Sequence, residues 1–236
     1  MLTDFDGTLA PIVDDPDAAE ALPGSAEVLS ALAARLALVA VVSGRPASYL
    51  TRHLPDARGV VLAGLYGLER VVDGRVVESD EARRWRPVVA EVADRAEREA
   101  PAGVTVERKG SSVALHVRTA PQHAGWIERF AEHAAGGSGL VAHPGRMSVE
   151  LRPPTGGDKG SVVEELGASL SRVAFLGDDR GDLPAFAALE RLRAGGVTTL
   201  AVAVDSTEAP AELLAAADVV AAGPAAVLEA LRTLLG

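Results

Sequence analysis

Asp4 and Asp6 are carboxylates one residue apart, set in Asp4-Phe5-Asp6-Gly7-Thr8-Leu9 behind a short apolar lead-in. At the end of a strand, residues i and i+2 point to the same side, so the two acids are expected to face one pocket. Like charges held that close are costly unless a cation lies between them or one of them takes a proton. The pair therefore implies a bound metal, or a division of labour between nucleophile and acid. Gly7 permits a sharp turn, and Thr8 offers a hydroxyl and a backbone N–H to an anion. An acidic turn or helix cap uses the same residue types, so the rest of the chain has to decide.

Three more groups bear on that choice. Ser43-Gly44-Arg45-Pro46 follows the apolar run 38–42; a hydroxyl beside a glycine and a helix start suits a phosphate oxygen, or simply caps the helix. Lys159 stands behind Asp158 in the first turn of a helix over 159–170, where the dipole favours anions, so the position asks for an anion nearby. Gly177-Asp178-Asp179-Arg180-Gly181-Asp182 follows the apolar run 173–176. Three carboxylates at a strand end suit a hard, oxygen-loving cation such as magnesium.

The elements that must position these groups follow from pattern. Continuous apolar runs at 38–42, 59–62, 173–176 and 200–204 have the length of strands buried on both faces of a parallel sheet. Helices are expected from residue 24, with Val28, Leu29, Leu32 and Leu36 on the buried face, over 47–54 and over 224–235. Residues 11–23 read as a loop, Asp73-Gly74 as a hairpin turn within 71–77, and Val219-Val220 as a last short strand. Strands alternating with helices, with the chemistry at strand carboxyl ends, predict a doubly wound parallel α/β core. Only Met1, Leu2 and Thr3 precede Asp4, fewer than an average strand of about 5 to 6 residues, so further residues are expected upstream.

The pattern changes over 84–152. A helix marked by Trp85, Val88, Val89, Val92 and Ala96 leads to strands over 104–107 and 113–118; a helix with Ala124, Ile127, Phe130, Ala131 and Ala134 leads to strands over 140–143 and 147–151. This αββαββ unit is read as an insertion, so that 1–83 and 153–236 form the core and 84–152 a second domain, with 153–157 as a hinge-like linker. Period two places Val104, Val106, Val113, Leu115, Val117, Met147, Val149 and Leu151 against the helices. It leaves Glu107, Lys109, His116, Arg118, Glu150 and Arg152 on the other face. Such a face suits a polyol and a phosphate, or is simply solvated.

The order of these motifs resembles the haloacid dehalogenase (HAD) superfamily, and the whole chain is similar to its trehalose-6-phosphate phosphatase family. The resemblance rests on Asp-Phe-Asp-Gly-Thr-Leu-Ala-Pro-Ile at 4–12, Ser-Gly-Arg at 43–45, Glu-x-Lys at 107 and 109, His-x-Arg at 116 and 118, and Val-Glu-Leu-Arg-Pro at 149–153 before Asp-Lys-Gly at 158–160. It implies a HAD (Rossmann-like) core with an inserted α+β cap that closes over it, and hydrolysis of trehalose 6-phosphate through an aspartyl-phosphate. Carried over, Asp4 is the nucleophile, Asp6 the acid and base, and Ser43 and Lys159 hold the phosphoryl group. Mg2+ falls to Asp4, the Asp6 backbone carbonyl and Asp178, with Asp179 or Asp182 near it. Thr8, Gly44 and Arg45 are assigned to substrate, and so are Glu107, Lys109, His116, Arg118, Glu150 and Arg152 in the cap. The chain departs from the family at Leu65-Tyr66, where members commonly carry an Asn-His or similar pair before the glycine.

Composition narrows the alternatives. With no cysteine there is no disulfide framework and no thiolate nucleophile or metal ligand. A net charge of −10 argues against a sequence-independent nucleic-acid binder. Apolar runs are too short for a membrane span and no leader precedes Asp4, so a cytoplasmic protein is expected. A monomer acting on a small sugar phosphate is the leading reading, with association with a trehalose-phosphate synthase left open. Rival substrates with the same cap are mannosylphosphoglycerate, glucosylglycerol phosphate and sucrose phosphate; a rival of another class is a non-catalytic sugar-phosphate sensor.

Overall fold

The computed structural model describes residues 1–13, 18–72, 74–145, 147–154, 157–206 and 209–236. Parts of the expected 11–23 loop, Asp73 of the hairpin turn, and Thr155 and Gly156 of the expected linker lie outside them. The chain divides into two units, Met1–Val77 with Gly157–Gly236, and Glu78–Gly156.

The first unit is built on β1 (Leu2–Thr3), β2 (Ala40–Val42), β3 (Val61–Gly64), β4 (Glu69–Val72), β5 (Arg75–Glu78), β10 (Arg172–Gly177), β11 (Thr198–Val204) and β12 (Val219–Ala221). They form one sheet in the order β12-β11-β10-β1-β2-β3-β4-β5. Strands β12 through β3 run parallel, and β4 turns back antiparallel on β3. Strand β1 lies in mid-sheet, with Leu2 opposite Phe175 on one side and Ala40 on the other.

Alternate residues of these strands feed two separate cores. Val39, Val41, Leu62, Leu176 and Val204 pack with Val28, Leu29 and Leu32 of α1 (Ser25–Ala33), Tyr49 and Leu50 of α2 (Ala47–His53), and Val227, Leu228 and Leu231 of α8 (Pro224–Thr233). Leu2, Ala40, Val42, Val173, Phe175, Ala201 and Ala203 pack on the other face. Their partners are α5 (Lys159–Gly167), α6 (Leu183–Ala194) and α7 (Ala211–Ala216). A sheet covered on both faces explains why its strands read as unbroken apolar runs. Leu36, expected on the buried face of α1, lies beyond the helix end and is 40% exposed. Helices α6 and α7 escape the periodicity reading, since α6 is alanine-rich with weak contrast between its faces.

In the second unit, α3 (Asp80–Glu99) and α4 (Ala124–Ser138) accompany β6 (Thr105–Arg108), β7 (Val113–His116), β8 (Val141–Gly145) and β9 (Ser148–Arg152). The sheet is antiparallel in the order β6-β7-β9-β8. Helix α3 starts earlier than its apolar stripe implies, because Ser79 accepts the Ala82 N–H and Asp80 and Glu81 favour the first turn. Val113, Leu115, Val117, Val149 and Leu151 join Val92, Ala96, Ile127 and Phe130 in a separate core. Met147 does not: it sits before β9 with φ +55° and is 39% exposed. Strand β7 stops at His116, so Arg118 lies past its end and is exposed.

Candidate active site

Parallel pairing sends β1, β2 and β10 in one direction, so the residues that follow them emerge at one edge of the sheet. Those residues are Asp4, Ser43 and Asp178. In open α/β sheets this edge, beside the strand where the order reverses, is where ligands bind. The peptide N–H of Asp4 donates to Leu176 O at 2.8 Å, extending the β1–β10 pairing into the acidic residues.

Lys159 is the centre of the cluster. It is 5% exposed, and its Nζ lies 2.8 Å from Asp4 Oδ1 and 2.7 Å from Asp182 Oδ1. Its place at the start of α5 is made possible by Asp158, which accepts the Ser161 N–H and caps the helix in its stead. Burial works against the ammonium charge, but Asp182 and then Asp4 outweigh it and hold Lys159 protonated well above the usual range.

The carboxylates grouped with Asp4 come from the segment that follows β10. One oxygen of each of Asp4, Asp178 and Asp182 lies within 4.8 Å of the others. Burial pushes the Asp4 carboxyl well up; Lys159 opposes this, and Asp182, Asp178 and Asp179 add to it. Asp178 is pushed up to about 8 by burial and then by Asp179 and Asp182. Asp182 rises to about 6, burial again exceeding the pull of Lys159.

Buried acids whose carboxyls are pushed up by burial and by one another, with oxygen donors gathered at one point, fit a hard divalent metal. Asp4 and Asp178 are the donors open to it. Asp182 accepts Lys159 on one oxygen and the backbone N–H groups of Asp178 and Asp179 on the other, at 2.9 and 3.1 Å. It is a scaffold for the loop. Asp179 Oδ1 and Thr8 Oγ1 are both buried without a hydrogen-bond partner, and each could meet a bound ion or anion.

Asp6 is not positioned by strand alternation: the strand ends at Thr3, and Asp6 forms a bridge with Ala10 inside a tight turn. Its carboxylate is held in two-pronged fashion by Arg45, Nε to Oδ2 at 2.9 Å and Nη2 to Oδ1 at 2.8 Å. The Arg45 guanidinium also lies 4.5 Å over the Tyr49 ring. Ser43 is 1% exposed, and its Oγ accepts the Arg45 N–H at 3.1 Å, while Pro46 occupies the cap position of α2. Gly44 lies between Ser43 and Arg45 in this loop.

Two contributors carry no sequence signal of their own. Ser206, past the end of β11, donates to Asp178 Oδ2 at 3.1 Å. Glu69, 8% exposed on β4, accepts the Ala47 N–H at 2.8 Å and so anchors the start of α2 behind the Ser43 loop. A lone Ser or Glu becomes informative only once the topology brings its strand beside the motif.

In the second unit, β6, β7 and β9 gather the expected polar residues. His116 Nε2 lies 2.9 Å from Glu107 Oε2, and Lys109 Nζ lies 3.7 Å from Glu107 and 3.8 Å from Glu150. Ser112 Oγ donates to Glu150 Oε1 at 2.6 Å. Arg152, at the end of β9, is half-buried, and Arg118 is exposed. The face is a preorganised set of donors and acceptors of both charges.

A doubly wound core with an inserted helix–strand unit, carrying a buried aspartate cluster at its carboxyl edge, has the fold of the HAD superfamily. Comparisons with known proteins narrow this. The trehalose-phosphatase family model matches residues 2–219. A trehalose-phosphate phosphatase of Mycolicibacterium paratuberculosis is 38% identical over 208 residues, covering 84% of this chain and 53% of that protein. One of Mycobacterium tuberculosis is 37% identical over 194 residues, covering 78% and 49%. The chain belongs to the trehalose-phosphatase family, and it spans about half the length of the curated relatives it matches. Among solved structures, the trehalose-6-phosphate phosphatase C-terminal domain of Candida albicans superposes with a TM-score of 0.76 at 23% identity, covering 100% of this chain and 91% of that one. The Aspergillus fumigatus trehalose-6-phosphate phosphatase gives a TM-score of 0.65 at 26% identity, covering 99% and 92%. Among the described residues, no helix is long and apolar enough to cross a membrane.

Proposed function

We propose that this chain is a magnesium-dependent phosphatase that hydrolyses trehalose 6-phosphate to trehalose and phosphate. The observation that carries the reading is Asp4, buried at the sheet edge and held by Lys159 at 2.8 Å, with Asp178 and Asp182 completing an all-oxygen cluster. A carboxylate fixed by one cation and open to another is a nucleophile with its charge directed. Magnesium would be held by Asp4 and Asp178 with the Asp6 backbone carbonyl, and would supply charge neutralisation at the phosphoryl oxygens.

Asp4 attacks phosphorus, the bond from phosphorus to the sugar oxygen breaks, and Asp6 gives that oxygen its proton. The same Asp6 then takes a proton from water as it attacks the aspartyl-phosphate, releasing phosphate and restoring Asp4. Ser43, Lys159 and the Thr8 hydroxyl meet the phosphoryl oxygens as charge builds on them. Glu107, Lys109, His116, Arg118, Glu150 and Arg152 bind the sugar hydroxyls, and residues 84–152 act as the specificity domain. The enzyme acts in the cytoplasm as a monomer, and its charge of −10 accords with a small substrate and no nucleic-acid partner.

The test is phosphate release from trehalose 6-phosphate, beside sucrose 6-phosphate, mannosylphosphoglycerate and glucosylglycerol phosphate, with and without chelator. Preference for trehalose 6-phosphate that vanishes with chelator is expected, together with substrate binding but no turnover in Asp4→Asn. Turnover retained in Asp4→Asn removes the aspartyl-phosphate; activity only on another sugar phosphate reassigns the substrate.

A further inference from the structure

Leu65, Tyr66 and Gly67 follow β3 with φ of +48°, +58° and +90°. Two successive L residues in the left-handed region are held there at a cost, and such outliers persist only where their surroundings over-determine them. Here the surroundings are the Ser43 loop. The Leu65 N–H donates to Arg45 O at 2.9 Å and the Tyr66 N–H to Ser43 O at 3.0 Å. The strained turn thus fastens the carbonyls on either side of Gly44.

It also aims a side chain. A β-carbon added to Gly44 would lie 2.6 Å from the Tyr66 hydroxyl and 2.9 Å from its Cζ. The phenol therefore occupies the space above Gly44, which must be glycine to admit it. On one side of Gly44 stands Ser43, and on the other Arg45, which grips Asp6. Tyr66 is half-buried, so it is ordered yet accessible to a ligand.

We infer that Tyr66 is a specificity-determining residue whose hydroxyl hydrogen-bonds the polyol leaving group, at the junction between the phosphoryl-binding and proton-donating parts of the loop. The inference rests on the proposed roles of Ser43 and Asp6. A neutral phenol, both donor and acceptor, matches a sugar hydroxyl or bridging oxygen, whereas the proposed phosphoryl site beside Asp4 already has a buried cation in Lys159.

The experiment compares Asp4→Asn with Asp4→Asn/Tyr66→Phe by calorimetric titration, using trehalose 6-phosphate and, separately, inorganic phosphate, both with magnesium. Phenylalanine keeps the ring over Gly44 and removes only the hydroxyl. Loss of one hydrogen bond predicts about a five- to tenfold weaker affinity for trehalose 6-phosphate, with phosphate affinity unchanged. In the otherwise native chain, Tyr66→Phe should raise KM for the sugar phosphate by a similar factor and leave kcat/KM for p-nitrophenyl phosphate as it was. An unchanged affinity for trehalose 6-phosphate, no binding of it, or an equal loss for both ligands overturns the inference. Turnover by the native chain reports separately on the proposed function, so the two can fail independently.

Discussion

Gly7 and Asp178 are in such close approach that a β-carbon on Gly7 would lie 2.0 Å from Asp178 Oδ2. Gly7 also has φ +74°, where a side chain is strained in any surroundings. The turn after the first acidic motif is thereby packed against the carboxylate of the second. Gly7→Ala should lower stability by about 2 to 4 kcal/mol, the left-handed backbone and the overlap adding. Urea unfolding measures it, and an unshifted midpoint would show that the two loops do not meet.

Lys159 has two buried carboxylates as partners. Lys159→Met leaves them without a cation, and breaking such a pair from one side costs about 3 to 5 kcal/mol when the remaining charges are kept. That penalty is expected at pH 8 and should shrink at pH 5, below the value of about 6 to which Asp182 is raised. A loss that is the same at both pH values would mean that Lys159 acts through packing and not through charge.

The raised carboxyls also set the pH dependence of the metal-free protein. Asp178 titrates near 8 and Asp182 near 6 when folded, against about 3.9 for an aspartate in an unfolded chain. Between those values the folded state holds protons that the unfolded state has released, so stability falls as pH rises from about 4 to about 8. Magnesium should restore it most at the alkaline end, by about 2.7 kcal/mol at one hundred times its Kd. Thermal midpoints in chelator and in magnesium, at pH 5 and pH 8, read this without any turnover. Equal gains at both pH values would detach the metal from these acids.

Arg118 is exposed beyond β7, so Arg118→Ala should leave folding intact. Its expected effect is about a tenfold rise in KM for trehalose 6-phosphate, the scale of one charged hydrogen bond, with p-nitrophenyl phosphate hydrolysis unaffected. An equal loss on both substrates would remove Arg118 from sugar recognition.

The core architecture was legible because a sheet covered on both faces writes itself as unbroken apolar runs, and the motif residues stand directly after those runs. Periodicity also separated Val113, Leu115 and Val149 from Glu107, His116 and Glu150 on the second sheet. It failed where local geometry breaks the alternation, at Met147 with its positive φ. The acidic site was legible in its members and not in its pairings. Spacing suggests Asp4 beside Asp6 through strand alternation, but the strand ends at Thr3; Asp6 pairs with Arg45, and the carboxylates grouped with Asp4 are Asp178 and Asp182. Ser206 and Glu69 were invisible because single polar residues acquire meaning only through the strand that happens to lie beside them.

The second unit, Glu78–Gly156, is one uninterrupted stretch with its own core, including Val92, Leu115, Phe130 and Leu151. Asp4, Asp6 and Ser43 are encoded before it, and Lys159, Asp178 and Asp182 after it. The chemistry is thus split across the gene while the proposed recognition surface is inherited whole. A lineage can exchange or remodel that one stretch without rewriting the acids, whereas neither flank alone carries a complete set of them.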